Sequence, residues 1–270
     1  MSKEYWKLTF PGAGKTYSLH NHSEFSDGSG TLREICLAAK SAGIKVFGLS
    51  DHWVEPPEEG MDSESWAMDT GRLDEYTGTL LQLKRELDDD RFTLKIGLEV
   101  DFFFENIDAV LKRLADYPLD YLIGSVHYAG IFPVDYQAAD WLPLSDEEKS
   151  EICRIYWEKL LGAAERKEFT FLGHLDLPKK FGLIDNGAYF PQAVKVLDVL
   201  AGNGGAIEVN TAGFFKECHE QYPAIDILKA AFKRKIPVVV NADAHSPEHL
   251  QRNFPEAYQI LQHAGYPVME

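Results

Sequence analysis

Histidines and carboxylates recur in this chain at the ends of apolar runs, which is where metal chemistry could be assembled. His20-Asn21-His22, Asp51-His52, Glu99, His127, His174 and Asp243-Ala244-His245 each close a β-rich stretch, and Asp27 follows shortly after the first. In an extended segment, residues two apart point to the same side, so His20 and His22 could grip one cation. Glu99 ends Lys95-Ile96-Gly97-Leu98. A carboxylate there is costly to bury unless an opposite charge compensates it. Taken singly, none of these decides anything, and His52 alone could equally be an ordinary packed histidine. Together, six histidines and three carboxylates make nine candidate ligands. One zinc takes four protein ligands, or three plus water. Nine therefore suit two or three ions that share a bridging carboxylate. Mixed nitrogen and oxygen donors favour Zn²⁺, Mn²⁺ or Fe²⁺ over Mg²⁺ or Ca²⁺.

Residues so far apart in sequence can meet only if the fold gathers its strand ends. The apolar runs predict strands at Tyr17–His20, Lys45–Leu49, Thr93–Leu98, Tyr121–Ser125, Phe169–Leu172, Ala206–Val209 and Pro237–Asn241. They are rich in branched and aromatic residues without strict alternation, as in parallel strands buried on both faces. Helical patterns separate them. Thr31-Leu32-Arg33-Glu34 and Ser145-Asp146-Glu147-Glu148 read as capping boxes, the second opening a helix to about Glu168. Gly43 suits the first helix's end. Further helices are expected at 72–88, 105–116, 188–202, 223–235 and 255–264, with Pro223 and Pro255 in first turns. Strand then helix, seven times over, predicts a distorted (β/α)7 TIM-like barrel with the metal site at the C-terminal ends of the strands. A doubly wound open sheet is the alternative. Neither a repeat nor a linker divides residues 1–270, so one barrel domain is expected.

The chain has 270 residues, a hydrophobic share of 45% and a formal net charge of −16. That suffices for a large core, and the acidity disfavours nucleic acid and anionic lipid as partners. Cys36, Cys153 and Cys218 form no Cys-x-x-Cys pair and read as reduced thiols, the first two in helix cores. No apolar h-region or membrane-length stretch is seen, so a cytoplasmic protein is expected. Gly12-Ala13-Gly14-Lys15-Thr16 resembles the end of a phosphate loop, but Thr9 stands where its first glycine belongs and a strand follows.

In their order along the chain these motifs resemble the PHP (polymerase and histidinol phosphatase) family, from His20 to about Pro247. The resemblance implies a distorted seven-stranded barrel with up to three metals. It implies one metal on His20, His22, Glu99 and Asp243, a second on His127 and His174 with Glu99 bridging, and a third on Asp27, His52 and His245. Glu99, Asp243 and His245 would be the catalytic positions, acting on a small phosphate ester through a metal-bridging hydroxide. The segments Gly173-His174-Leu175-Asp176-Leu177-Pro178-Lys179-Lys180-Phe181-Gly182 and Glu208-Val209-Asn210-Thr211-Ala212-Gly213 are most similar to the stand-alone histidinol-phosphate phosphatases, which implies L-histidinol phosphate as substrate. Asp176, Lys179, Lys180, Asn210 and Lys216 are then the expected substrate contacts. Two departures stand out. Lys179 and Lys180 occupy the place of an expected arginine, and Phe214-Phe215-Lys216 that of another. Arginine grips phosphate with paired bonds, lysine as a point charge.

Other expectations concern the surroundings. Asp51 is placed to orient an imidazole. The long loops carrying Trp53, Trp66 and Trp141 should cover the barrel mouth. His219, His249 and His263 read as surface residues. Three competing readings are another small-ester phosphoesterase, an amidohydrolase-like metal hydrolase and a non-catalytic metal-binding regulator. The amidohydrolase reading would need a carbamylated lysine where Glu99 stands. Oligomeric state is not legible.

Overall fold

Strands made of residues that can be buried on both faces leave no side for water, and here the sheet they form curls almost shut. The computed structural model describes residues 17–267. Gly12–Thr16 lie outside them. The chain runs β1 (Tyr17–Ser18), α1 (Leu32–Ser41), β2 (Val46–Leu49), β3 (His52–Trp53), α2 (Leu73–Leu87), β4 (Thr93–Asp101), α3 (Ile107–Leu114) and β5 (Tyr121–Ser125). It continues through β6 (Tyr128–Ala129), β7 (Phe132–Pro133), α4 (Ala138–Trp141), α5 (Asp146–Ala164), β8 (Phe171–Leu172) and α6 (Phe190–Asn203). The last elements are β9 (Ile207–Asn210), α7 (Ile225–Lys233), β10 (Val238–Asn241) and α8 (Phe254–Ala264).

Seven strands pair in the order β1-β2-β4-β5-β8-β9-β10, and every pairing along that path is parallel. Just past their ends, Asn21 bridges Ala244, and the Leu19 amide donates to Asn241 Oδ1 at 2.8 Å. The ring is therefore nearly closed: the expected (β/α)7 barrel forms, and the open doubly wound sheet does not.

Both capping boxes are present. Thr31 Oγ1 accepts from the Glu34 amide at 3.2 Å, and Glu34 Oε2 accepts from the Thr31 amide at 2.9 Å. Ser145 and Glu148 reciprocate in the same way at 3.2 and 2.8 Å. The helix opened by Ser145 stops at Ala164 rather than Glu168, capped through the Glu165 amide. Pro223 precedes its helix, which begins at Ile225. Two strand ends also differ usefully from expectation. β4 runs on through Glu99 to Asp101. The segment after β2 resumes as β3, in register with it: His52 opposite Glu99 and Trp53 opposite Val100.

Alternation along the strands sorts the barrel interior into layers. Tyr121 and Ile123 of β5, with Tyr17, Leu19, Val46, Phe171, Ala206 and Val239, make a separate buried apolar cluster. One step further on the same inward faces, Ser125, Glu208 and Asn241 are polar and fully buried. Tyr121 spans the apolar layer, donating from its hydroxyl to the Leu19 carbonyl at 2.7 Å. A Cβ at Gly48 or Gly97 would overlap its ring, so these two glycines make room for it. The larger core lies outside the sheet, against the helices.

Candidate metal centre

The polar layer at the strand ends collects all nine expected ligands. Four overlapping groups have donor atoms within 4.8 Å of one another: His22, Asp27, His52 and His245; His20, His22 and Asp243; His20, Glu99 and His174; and His52, Glu99 and His127. Glu99 is the hub. Its Oε2 lies 3.1 Å from His20 Nε2 and 2.8 Å from His52 Nδ1, and its Oε1 lies 2.9 Å from His174 Nε2. Asp243 Oδ1 stands 3.1 Å from His22 Nε2, and Asp27 Oδ2 stands 3.2 Å from His245 Nε2.

These contacts are not simply hydrogen bonds. His20 Nε2, His52 Nδ1 and Glu99 Oε2 are buried yet make no hydrogen bond of acceptable geometry. Buried polar atoms are normally satisfied. Lone pairs that converge on one point, rather than on each other's protons, fit a cation between them, and the donor set suits divalent transition ions. Protonation agrees. Burial, then the neighbouring His52 and His245, lowers His22 to about 3, so it stays neutral and able to donate its lone pair. Burial opposes the charge of Glu99, but the imidazoles around it hold its carboxyl well below the usual range.

Further side chains behind these residues hold them in place. Glu208 accepts from His20 Nδ1 at 3.0 Å, the His174 amide at 2.8 Å, Asn210 Nδ2 at 3.0 Å and Asn241 Nδ2 at 2.9 Å. By taking the Nδ1 proton of His20 it leaves the Nε2 lone pair facing Glu99. Ser125 Oγ donates to Glu99 at 2.6 Å, and His245 Nδ1 donates to the Asp243 carbonyl at 3.0 Å. Asp101 accepts from the His127 amide at 2.9 Å. Glu208 was visible in the sequence as the acid interrupting the sixth apolar run, Ala206–Val209. Asp101 had no comparable signal.

The ligands open into a cavity of about 770 Å³ whose lining includes Trp66, Tyr128, Asp135, Lys180, Lys216 and Arg252. The expected substrate contacts divide here. Lys180 and Lys216 reach the cavity. Lys179 is buried and ion-paired 3.0 Å from Asp176 and 2.7 Å from Glu220, and it donates to the Gln221 carbonyl at 2.7 Å. Asp176 also accepts from the Ala224 amide at 2.8 Å, so this pair ties the loop after β8 to the start of α7. Neither lines the cavity. Asn210 donates to Asp243 Oδ2 at 3.1 Å and therefore orients a ligand rather than facing the cavity.

Asp51 orients no imidazole. It accepts from the Ser23 amide and hydroxyl and from Ser26 Oγ at 2.7, 2.8 and 2.6 Å, fixing the turn that carries Asp27. Of the three loop tryptophans only Trp66 lines the cavity, its ring 4.8 Å from His52 and 5.3 Å from His127. Trp53 and Trp141 are core residues. His249, expected at the surface, lines the cavity. Arg252, which no motif announced, does too.

The PHP domain family matches residues 18–212. The chain belongs to the PHP family. Asp243 and His245 lie beyond the matched segment, yet the fold returns them to the same centre. A Deinococcus radiodurans protein named "Probable histidinol-phosphatase" is 35% identical over 88% of each chain. The Bacillus subtilis "Histidinol-phosphatase" is 26% identical over 84% of this chain and 92% of its own. Among solved structures, histidinol phosphate phosphatase from Lactococcus lactis, complexed with Zn, L-histidinol and phosphate, superposes with a TM-score of 0.79. It covers 94% of this chain and 95% of its own at 23% identity, a likeness of fold.

Proposed function

We propose that this PHP protein is a metal-dependent phosphomonoesterase that hydrolyses L-histidinol phosphate to L-histidinol and phosphate. The observation that carries it is the nine-residue ligand ring bridged by Glu99 and opening into a cavity with cationic residues on its wall. The names of the relatives support the choice of ester. Two or three divalent ions of Zn, Mn or Fe, held by His20, His22, Asp27, His52, Glu99, His127, His174, Asp243 and His245, would supply Lewis acidity and an activated water. The chain's own residues do the rest. Glu208, Ser125 and Asn210 hold the ligands in place. Lys180 and Lys216 offset the negative charge that a phosphate brings into the cavity. Trp66 and Tyr128 narrow the side next to His52 and His127, excluding bulk water there. We place the catalytic roles on Glu99, Asp243 and His245, the one barrel unit spanning the chain, and its site of action in the cytoplasm. No helix among the described residues is long and apolar enough to cross a membrane.

The lysines and phenylalanine that replace the expected arginines favour a second reading, a phosphoesterase for another small ester. Phosphate release from L-histidinol phosphate by protein loaded with Mn²⁺ or Zn²⁺ separates the two. Saturable turnover with kcat/KM above ~10⁴ M⁻¹s⁻¹ is expected. Negligible turnover by metal-loaded protein rejects this substrate, and turnover of a panel of other phosphate esters then tests the second reading.

A further inference from the structure

We propose that Arg252 is the guanidinium that grips the substrate's phosphate, supplied from the turn before α8 in place of the two arginines its motifs lack. The inference rests on the phosphatase reading above. Three cations line the cavity near Asp243, and they differ in what already occupies them. Lys180 donates to the Asp135 carbonyl at 2.6 Å and to its carboxylate at 3.0 Å. Among the described residues, Lys216 Nζ and the Arg252 guanidinium have no ion pair, and Arg252 Nε is buried without a hydrogen-bond partner. The nearby carboxylate of Asp243 is already engaged by His22 and Asn210, each at 3.1 Å.

The guanidinium is nevertheless held in place. Its central carbon stacks 4.5 Å from the ring centroid of Phe215. Stacking uses the flat face and leaves the in-plane donors free, so the fork remains open to an anion. The backbone of the turn is fixed on both sides: Thr211 Oγ1 donates to the Arg252 carbonyl at 2.8 Å, and the Arg252 amide donates to the His249 carbonyl at 3.2 Å. Phe215 sits in the segment where an arginine was expected. It thus serves as the shelf on which an arginine from elsewhere rests. Positive charge crowds together here: burial first, then Lys180 and, more weakly, Arg252 push the Lys216 pKa down, with Asp243 opposing. An anion entering between them would relieve that repulsion.

The test uses full-length, metal-loaded protein, with inorganic phosphate as the calorimetric probe and both L-histidinol phosphate and p-nitrophenyl phosphate as substrates. Arg252→Gln should weaken phosphate binding by about 10- to 100-fold, the scale of hydrogen bonds to a charged group. It should raise KM for the two esters by a similar factor, since they share only the phosphate, while metal content stays at the wild-type level. Arg252→Lys should recover only part of the affinity, because a point charge replaces a fork. Unchanged phosphate affinity in Arg252→Gln overturns the proposal. So does loss of metal together with phosphate, which would mean that Arg252 acts through Asp243. If Arg252→Gln does not fold, full affinity in Arg252→Lys overturns it. Should the wild-type protein hydrolyse neither ester yet bind phosphate in an Arg252-dependent way, the phosphatase reading fails and the anion site stands.

Discussion

Two sets of residues meet at the mouth of this barrel, and they are built differently. The ligand ring stands mostly on or just past strand ends; six of its nine members are buried, Asp243 and His245 are half-buried and Asp27 is exposed in a turn, and they contact one another or a dedicated partner. The cationic wall of Lys180, Lys216 and Arg252 stands on turns after β8, after β9 and before α8, partly exposed and, among the described residues, in two of three cases without an ion pair. The ring is fixed by the topology of the sheet. The wall is free to vary with the loops while the ring stays put. In a barrel of this kind, loops can change what is bound without disturbing the chemistry beneath.

The comparison can be broken most severely at Glu99. Because it touches donors in two of the four ligand groups, Glu99→Gln should lower kcat by more than about 10³-fold, on the scale of losing metal-based charge stabilisation. Elemental analysis should show lost metal, and a chelator should reproduce the defect in the wild type.

Lys179 tests whether a lysine beside the wall belongs to it. Its ion pair with Asp176 is buried, and breaking such a pair costs about 3–5 kcal/mol. Lys179→Met should therefore lower the urea midpoint sharply while KM for the folded fraction stays near wild type. A large KM effect at unchanged stability would move Lys179 into the wall.

Glu208→Gln probes the ring from behind. Weakening an outer partner of a metal ligand typically costs about 10–100-fold in metal affinity, and metal titration against a competing chelator should show a loss of that order with the fold intact.

The smallest effect concerns Asp135 and Lys180. Burial opposes the charge of Asp135, but Lys180, with His127 beyond, holds its carboxyl below the usual value. A depressed folded pKa stabilises above the unfolded value near ~3.9 and loses that contribution as pH falls through the folded one. The stability gap between wild type and Asp135→Asn should be flat from neutral pH to about 5 and shrink below about 4, measured by urea unfolding.

How much of this was legible in sequence follows the same division. His20, Glu99 and His174 could be found because a polar residue closing an apolar parallel strand has few places to go. That these nine residues would gather at one end of the barrel was readable in the sequence. Which ligands group around one point was less so: His22 turns out to join the Asp27, His52 and His245 group as well as that of Asp243. The wall was poorly legible. Lys179 and Lys180 are adjacent in a short 3₁₀ segment, so they point about 120° apart; Lys179 is buried in its ion pairs while Lys180 lines the cavity, and composition cannot say which does which. Arg252 lies in a turn with no periodic pattern, and its role emerges only from the stack on Phe215. Asp51 was misjudged because a neighbour in sequence, His52, hid its real partners, Ser23 and Ser26. The helix ends differ by a few residues for an ordinary reason: caps fray, and pattern alone does not locate them.

The Tyr121 layer has a kinetic consequence. With Tyr121 and Phe171 filling the barrel beneath the ligands, and the space at Gly48 and Gly97 taken up by the Tyr121 ring, the described residues close the inner end of the chamber. Ester enters and both products leave through the same opening, with the phosphate end innermost. An ester seated with its phosphate on the ligands is then expected to release the alcohol first and phosphate last. Such an ordered release makes inorganic phosphate a competitive product inhibitor and the alcohol a noncompetitive one, a pattern that steady-state inhibition kinetics can read without any change to the chain.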